Sequence, residues 1–175
     1  MMLRAASKDD LQQLKELWNI CFHDSPVFQN WFFQYRVIPE WSFVWEEDGM
    51  IQSCLHTYPY LVNIRGKEIP AAMICGVCTH PDYRKQGLMG RVFRFAMRQL
   101  YQKNRLVAPL TPVTPGFYDS FGAFVVSDAA YLTFTNKISA EKIDLSITPI
   151  RNVGKLYPIY QVFSKKYNGI ILRTP

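Results

Sequence analysis

Long apolar runs are what this chain most plainly lacks. No stretch approaches the roughly 18 consecutive apolar residues that cross a bilayer, and the N-terminal MMLRAASKDDLQQ has no apolar core of a secretion signal. We therefore expect no membrane partner and a cytoplasmic location. Cysteine is scarce too: four residues, at 21, 54, 75 and 78, are too few and too irregular for a disulfide framework. Cys75 and Cys78 have the C-x-x-C spacing of a redox or zinc motif, but they lie in an apolar run and no second pair follows. Two residues three apart on a strand point to opposite faces, so the pair is expected to hold neither metal nor disulfide. Internal repeats, low-complexity segments and helix-turn-helix, RNP or zinc-finger patterns are all missing, so nucleic acid is not an expected partner. The net charge of +6, with pI about 9.2, still leaves room for a smaller anionic ligand.

What is present suits one globular domain: 175 residues, 49% of them hydrophobic, give a substantial core. Residues 2–5 read as a short strand. Ser7 then caps a helix, with Asp10 three residues on and Leu11, Leu14, Leu17, Trp18 and Cys21 along one face. An aromatic helix, PVFQNWFFQYR, follows. Two strands flank Asp48-Gly49, a strong hairpin signal, and a turn at Arg65-Gly66-Lys67 leads into a third run from Ile69 to Thr79. Val92, Phe95, Ala96, Gln99 and Leu100 mark a helix of about four turns. Beyond it, RLVAPL (105–110) reads as a strand, PGFYDSF as a short helix, and AFVVSDAAYLTFTN (123–136) as a long strand. The tail reads as the helix GKLYPIYQVFSKKYNG and a strand-like IILRT. A strand meander followed by strand-helix-strand alternation predicts an α/β fold with helices on the faces of a sheet.

The seam between the third run and the long helix is THPDYRKQGLMGR (79–91). A strand end, a donor-rich loop and a helix start near Gly87 gather free backbone N–H groups at one point, with the positive end of the helix dipole behind them. Gly87 lets a ligand oxygen approach without a Cβ in the way. A phosphate or pyrophosphate fits such a place; a turn of solvated basic residues is the plainer alternative.

At these residues the chain resembles the GNAT (Gcn5-related N-acetyltransferase) superfamily, whose helix-opening signature Gln/Arg-x-x-Gly-x-Gly/Ala is met by Arg84-Lys85-Gln86-Gly87-Leu88-Met89, with Met89 at the last position. RKQGLM after HPDY, the opening LRAASKDDLQQLKELWNICFHD, the EEDGMIQS hairpin and PGFYDSFGAFV are similar to the Eis-like (enhanced intracellular survival) branch. The resemblance implies a mixed, mostly antiparallel central sheet with a splayed strand pair, flanked by helices. It implies acetyl-CoA as the acetyl donor, with its pyrophosphate on Lys85, Gln86, Gly87, Leu88, Met89 and Gly90 beside Arg84. The pantetheine arm would lie along Val77, Cys78 and Thr79, with Val113 and Thr114 facing it. The three prolines of APLTPVTPG suit a strand that must part from its neighbour, since proline donates no ladder bond. The partner is then an amine acceptor and the reaction direct N-acetyl transfer, with Tyr118 as the acid that protonates the departing thiolate.

The base stays open among water, Glu46, Glu47, His56 and His80. Trp31, Phe32, Tyr35, Tyr58 and Tyr60 form either core or an amine pocket. Arg91, Arg94 and Arg98 are either a solvated face or a reach to the CoA 3′-phosphate. The expected division is a GNAT domain over 1–150 and a C-terminal helix and strand over 151–175, ending about where the resemblance implies that Eis-like proteins begin a second domain. A catalytically silent acyl-CoA-binding domain is the alternative function. The acceptor and a homo-oligomeric state are left open.

Overall fold

The computed structural model describes residues 1–126 and 152–173. Its elements are β1 (Met2–Ala5), α1 (Leu11–Cys21), α2 (Pro26–Tyr35), β2 (Ser42–Glu47), β3 (Met50–Ile64), β4 (Lys67–Thr79), α3 (Leu88–Gln102), α4 (Tyr157–Lys166) and β5 (Ile170–Leu172). Among the described residues the strands form one sheet in the order β1-β2-β3-β4, all antiparallel, with β5 on β3. The mostly antiparallel α/β fold is thus as expected.

Local chemistry explains the element ends. Ser7 and Asp10 form a capping box at a short 3₁₀ turn that leads into α1. Asp10 also accepts two bonds from the Arg4 guanidinium, at 2.6 and 2.8 Å, which ties β1 to the helix start. The hydrogen bond to Arg4 lowers the Asp10 carboxyl from its usual 3.8 to about 2. Ser25 caps α2 through Phe28 N–H, with Pro26 in the first turn. The β2–β3 and β3–β4 hairpins turn at Asp48-Gly49 and Arg65-Gly66, all four residues in the left-handed region that such tight turns demand.

Helices cover both faces of the sheet. On one, α3 lays Leu88, Val92, Phe93 and Ala96 against Phe43, Trp45, Leu55 and Ile74. On the other, α1 sets Leu14 and Leu17 against Val44, Ile51, Cys54 and Cys78, while Trp18 packs on Phe32 of α2. At the far end of β3, beyond the reach of β2, β5 takes the free edge at Leu61–Asn63. The Tyr160 hydroxyl donates to the Ile171 carbonyl, and Asn63 Nδ2 to the Ser164 carbonyl at 3.0 Å, so α4 follows β5 onto the sheet.

Three sequence expectations beyond α3 are corrected. RLVAPL is not a full strand: it makes one parallel bridge, Ala71 to Val107, with Leu106 N–H donating to Pro70 and the Val107 and Pro109 carbonyls accepting from Ala72 and Ile74. PGFYDSF is not a helix but a series of turns with one 3₁₀ turn, Asp119–Phe121, because Gly116 and Gly122 take positive φ on either side. Residues 123–126 are not strand, and the remainder of the long strand expected over 123–136 lies outside the described residues.

A fourth correction concerns the cysteines. β4 carries a bulge: Cys54 pairs with Cys78 and His56 with Cys75, so Leu55 alone faces Gly76 and Val77. The extra residue cancels the alternation. Cys75 and Cys78 therefore lie on the same face, toward α1, and the expectation of opposite faces is wrong. All four cysteines are free thiols; Cys78 Sγ is 3.5 Å from Cys54 Sγ, whereas the Cys75 thiol donates to the His56 carbonyl at 3.7 Å.

Behind the bulge sits His56, fully buried among Trp18, Phe32 and Phe33. The Ser42 hydroxyl gives its one proton to the Ile38 carbonyl, so it accepts from His56 Nδ1–H at 2.8 Å. This assigns the tautomer and leaves Nε2 as an acceptor with no partner among the described residues. Burial lowers the His56 pKa from 6.5 to about 4. Above pH 6.5 neither folded nor unfolded chain protonates this ring, and the fold has its full stability. Between pH 6.5 and 4 the unfolded chain takes up a proton that the folded one refuses, so stability falls as pH falls. We expect a loss of about 2 kcal/mol between pH 7 and pH 5 in urea unfolding, largely absent in His56→Phe. Asp10 adds its own loss only further down, between 3.8 and about 2. A wild-type midpoint unchanged from pH 7 to 5 would contradict this.

Candidate active site

The site lies where β4 loses its neighbour. The extended segment 106–109 bonds to β4 as far as Ile74, and among the described residues no backbone bond joins β4 from Gly76 onward to the loop 110–118. Pro109, Pro112 and Pro115 supply no N–H there. The seam opens into two connected cavities. A groove of about 590 Å³ runs from the start of α3 along Val77, Cys78 and Thr79 to Tyr118. A cleft of about 260 Å³ continues from Tyr118 past Cys75 and Gly76 to Leu110 and Thr114. Phe22, Val77, Phe117 and Tyr118 line both and mark where they meet.

At the groove mouth Gly87 caps α3 with φ +74, and Lys85 also has positive φ, so the chain doubles back before the helix begins. The first-turn N–H groups of α3 have no partner within the helix, and they open onto the groove with Leu88, Met89 and Gly90 in its wall. A Cβ on Gly87 would meet no protein atom within 4 Å: the space it would enter is open. Arg84 Nε donates to the Thr79 carbonyl at 3.1 Å, which holds the loop against the end of β4. Arg94 joins the wall, its guanidinium over Phe121 and bonded to the Gly90 carbonyl at 3.1 Å.

At the inner end Tyr118 is half-buried, its ring against Phe93 at 5.5 Å and edge-on to Phe117 at 5.0 Å. Burial raises its pKa, so the phenol keeps its proton through the neutral range.

Of the residues expected at a cofactor, Val77, Cys78, Thr79, Arg84, Lys85, Gly87, Leu88, Met89 and Gly90 line the groove; Val113 and Thr114 line the cleft instead, and Gln86 lines neither. Sequence reasoning missed Cys21, Phe22, Tyr83, Phe117 and Phe121; of Arg91, Arg94 and Arg98, weighed as a reach to the CoA 3′-phosphate, Arg94 is the one in the groove wall. Phe22 sits 55 residues from Val77 in the chain, and only the packing of α1 across β4 brings them together. The residues weighed as a base are elsewhere: Glu46 pairs with Arg4, His56 is sealed in the core, His80 accepts from Asp82 N–H at 3.3 Å, and neither cavity has Glu47 in its wall. The supposed amine pocket is also occupied from within, since Arg36 lies over Trp31 at 5.3 Å and Tyr58 at 5.0 Å, and Phe32 is core.

A helix-flanked sheet parted at one seam, with a helix N-terminus at the open end, defines an α/β fold of the acyltransferase class. The acetyltransferase (GNAT) domain profile matches residues 2–126, and the chain belongs to that family. No curated protein matches it. Among solved structures, a probable N-acyltransferase from Enterococcus faecalis V583 superposes with TM-score 0.62 at 22% identity, over 69% of this chain and 31% of that one. Eis1 from Mycobacterium abscessus gives 0.62 at 13%, over 70% and 31%. A GNAT family acetyltransferase from Brucella melitensis, solved with acetyl-CoA, gives 0.58 at 20%, over 69% and 80%. At such identities the likeness is one of fold, and this chain spans about a third of the length of the first two.

Proposed function

We propose that this chain moves an acetyl group from acetyl-CoA to a primary amine, in the manner of an Eis-like first domain over residues 1–150, with 151–175 as an appendage on the same sheet. One observation carries the reading: a continuous groove joins a glycine-capped helix N-terminus to a protonated tyrosine along a strand edge with no described backbone partner. The substrate's pyrophosphate fits the N–H groups of residues 85–90, its pantetheine arm the edge at Val77 to Thr79, and its thioester the junction at Tyr118. Tyr118 would hold a proton at Oη for the departing sulfur. No described carboxylate or imidazole lines either cavity, so the amine would shed its proton to water.

The donor site is testable by calorimetry. Gly87→Val puts a branched Cβ into the open space of the groove and strains a backbone at φ +74. Acetyl-CoA affinity should fall more than tenfold, or about 1.4 kcal/mol, in a variant that still folds. Unchanged affinity would remove the loop from the site.

The missing base supports a second reading, an acyl-CoA-binding domain without turnover. Release of free thiol on mixing acetyl-CoA with an amine panel, with mass spectrometry for the acetylated product, separates the two.

A further inference from the structure

The chemistry of the acceptor can be inferred from the cleft beyond Tyr118, given the acetyl-transfer reading above. Its volume of about 260 Å³ falls just under the ~300–1,000 Å³ of ordinary small-molecule pockets, so the guest is small. Two aromatic rings stand at its entrance: Phe22, where α1 ends, braced by Trp18 at 4.6 Å, and Phe117, edge-on to Tyr118 at 5.0 Å. The polar side chains that described residues add are hydroxyls and one thiol, those of Thr111, Thr114, Tyr118 and Cys75. Burial pushes the Cys75 thiol up to about 11, so it is neutral.

No charged side chain of a described residue lines this cleft. Asp24, close in sequence to Phe22, already accepts from Trp18 Nε1 at 3.0 Å. The aromatic faces of Trp31 and Tyr58 already hold Arg36. A polyamine would bring several ammonium groups to a chain of net charge +6 and into a cleft with no described carboxylate to meet them, and each unpaired charge loses hydration without replacement. A ring between Phe22 and Phe117 gains offset or edge-to-face contact and buries part of its apolar surface. We propose that the acceptor is a small primary amine carrying one aromatic ring, held between Phe22 and Phe117 with its nitrogen toward Tyr118, and not a polyamine or an aminoglycoside.

The test is to titrate 2-phenylethylamine, spermidine and an aminoglycoside into protein saturated with CoA, and to measure acetylation of each with acetyl-CoA. Phenylethylamine should bind, and be acetylated, at least tenfold better than either polycation. Thr111→Glu, at an exposed position on the cleft wall, should shift the preference toward spermidine, and unchanged selectivity in that variant counts against the proposal. Equal or tighter binding of a polycation, or no saturable binding of any amine, overturns it. Acetyl-CoA binding without amine is measured alongside. Its loss sinks the acetyl-transfer reading, whereas its retention with the wrong amine preference sinks only this inference.

Discussion

Gly76→Ala should destabilise the domain by about 3–4 kcal/mol and lower the urea midpoint more than alanine at any of the other glycines. An alanine Cβ at the β4 bulge would stand 2.3 Å from Trp18 Cζ3 and 2.9 Å from His56 Cδ2. Neither ring can yield, because Trp18 is wedged between Phe22 and Phe32, each at 4.6 Å, and His56 is pinned by Ser42. Overpacking of this kind costs about 1–3 kcal/mol, and the left-handed backbone at φ +56 adds about 1–2 for a residue with a side chain. Against a typical domain stability of about 5–15 kcal/mol that is a large share. Gly49→Ala is the matched control: its φ is +77 but no atom lies within 4 Å of the added methyl, so only the backbone cost applies. Equal losses in the two variants would mean that Trp18 gives way and the bulge is not sterically locked.

Tyr118→Phe should leave acetyl-CoA affinity almost untouched and lower turnover by about a hundredfold. The ring and its contacts with Phe93, Phe117 and Phe121 remain, so packing is kept, while the only group lost is the phenol hydroxyl. General acid catalysis is worth about 10²–10⁴ in rate, and a thiolate, already a fair leaving group, argues for the lower end. The measurement is kcat at saturating acetyl-CoA beside a calorimetric Kd. Turnover that survives the change would remove Tyr118 as the acid; a matching loss of affinity would make it a binding residue.

The loop that opens α3 is legible in the sequence because its information is local. Thr79 to Gly90 combine a strand end, a glycine cap and a helix start within twelve residues, and backbone geometry alone gathers unpaired helix N–H groups there. The hairpins at Asp48-Gly49 and Arg65-Gly66 are legible for the same reason: two residues that tolerate positive φ name the turn. Helices α1 and α3 show in their apolar spacing. Where proline and glycine crowd together, at 109–122, the same rules fail in detail, since they predict a strand and a helix while the chain forms an open extended segment and turns.

The cysteine pair shows what local rules cannot reach. Cys75-Gly-Val-Cys78 reads as simple alternation, and nothing within those four residues announces that Leu55, across the sheet, faces two of them at once. Gly76 becomes a bulge only because Trp18 and His56 close over it from another helix and another strand, leaving no room for a Cβ. The cleft is decided in the same way: Phe22, Gly76 and Phe117 come from three separate parts of the chain, and only packing across the sheet brings them to one wall. By itself, then, the sequence determined the turns, the helix faces and the glycine-capped loop before α3, because each depends on residues a few positions apart. The bulge, the tautomer of His56 and the aromatic cleft were decided by the tertiary structure, because each depends on which distant atoms exclude one another.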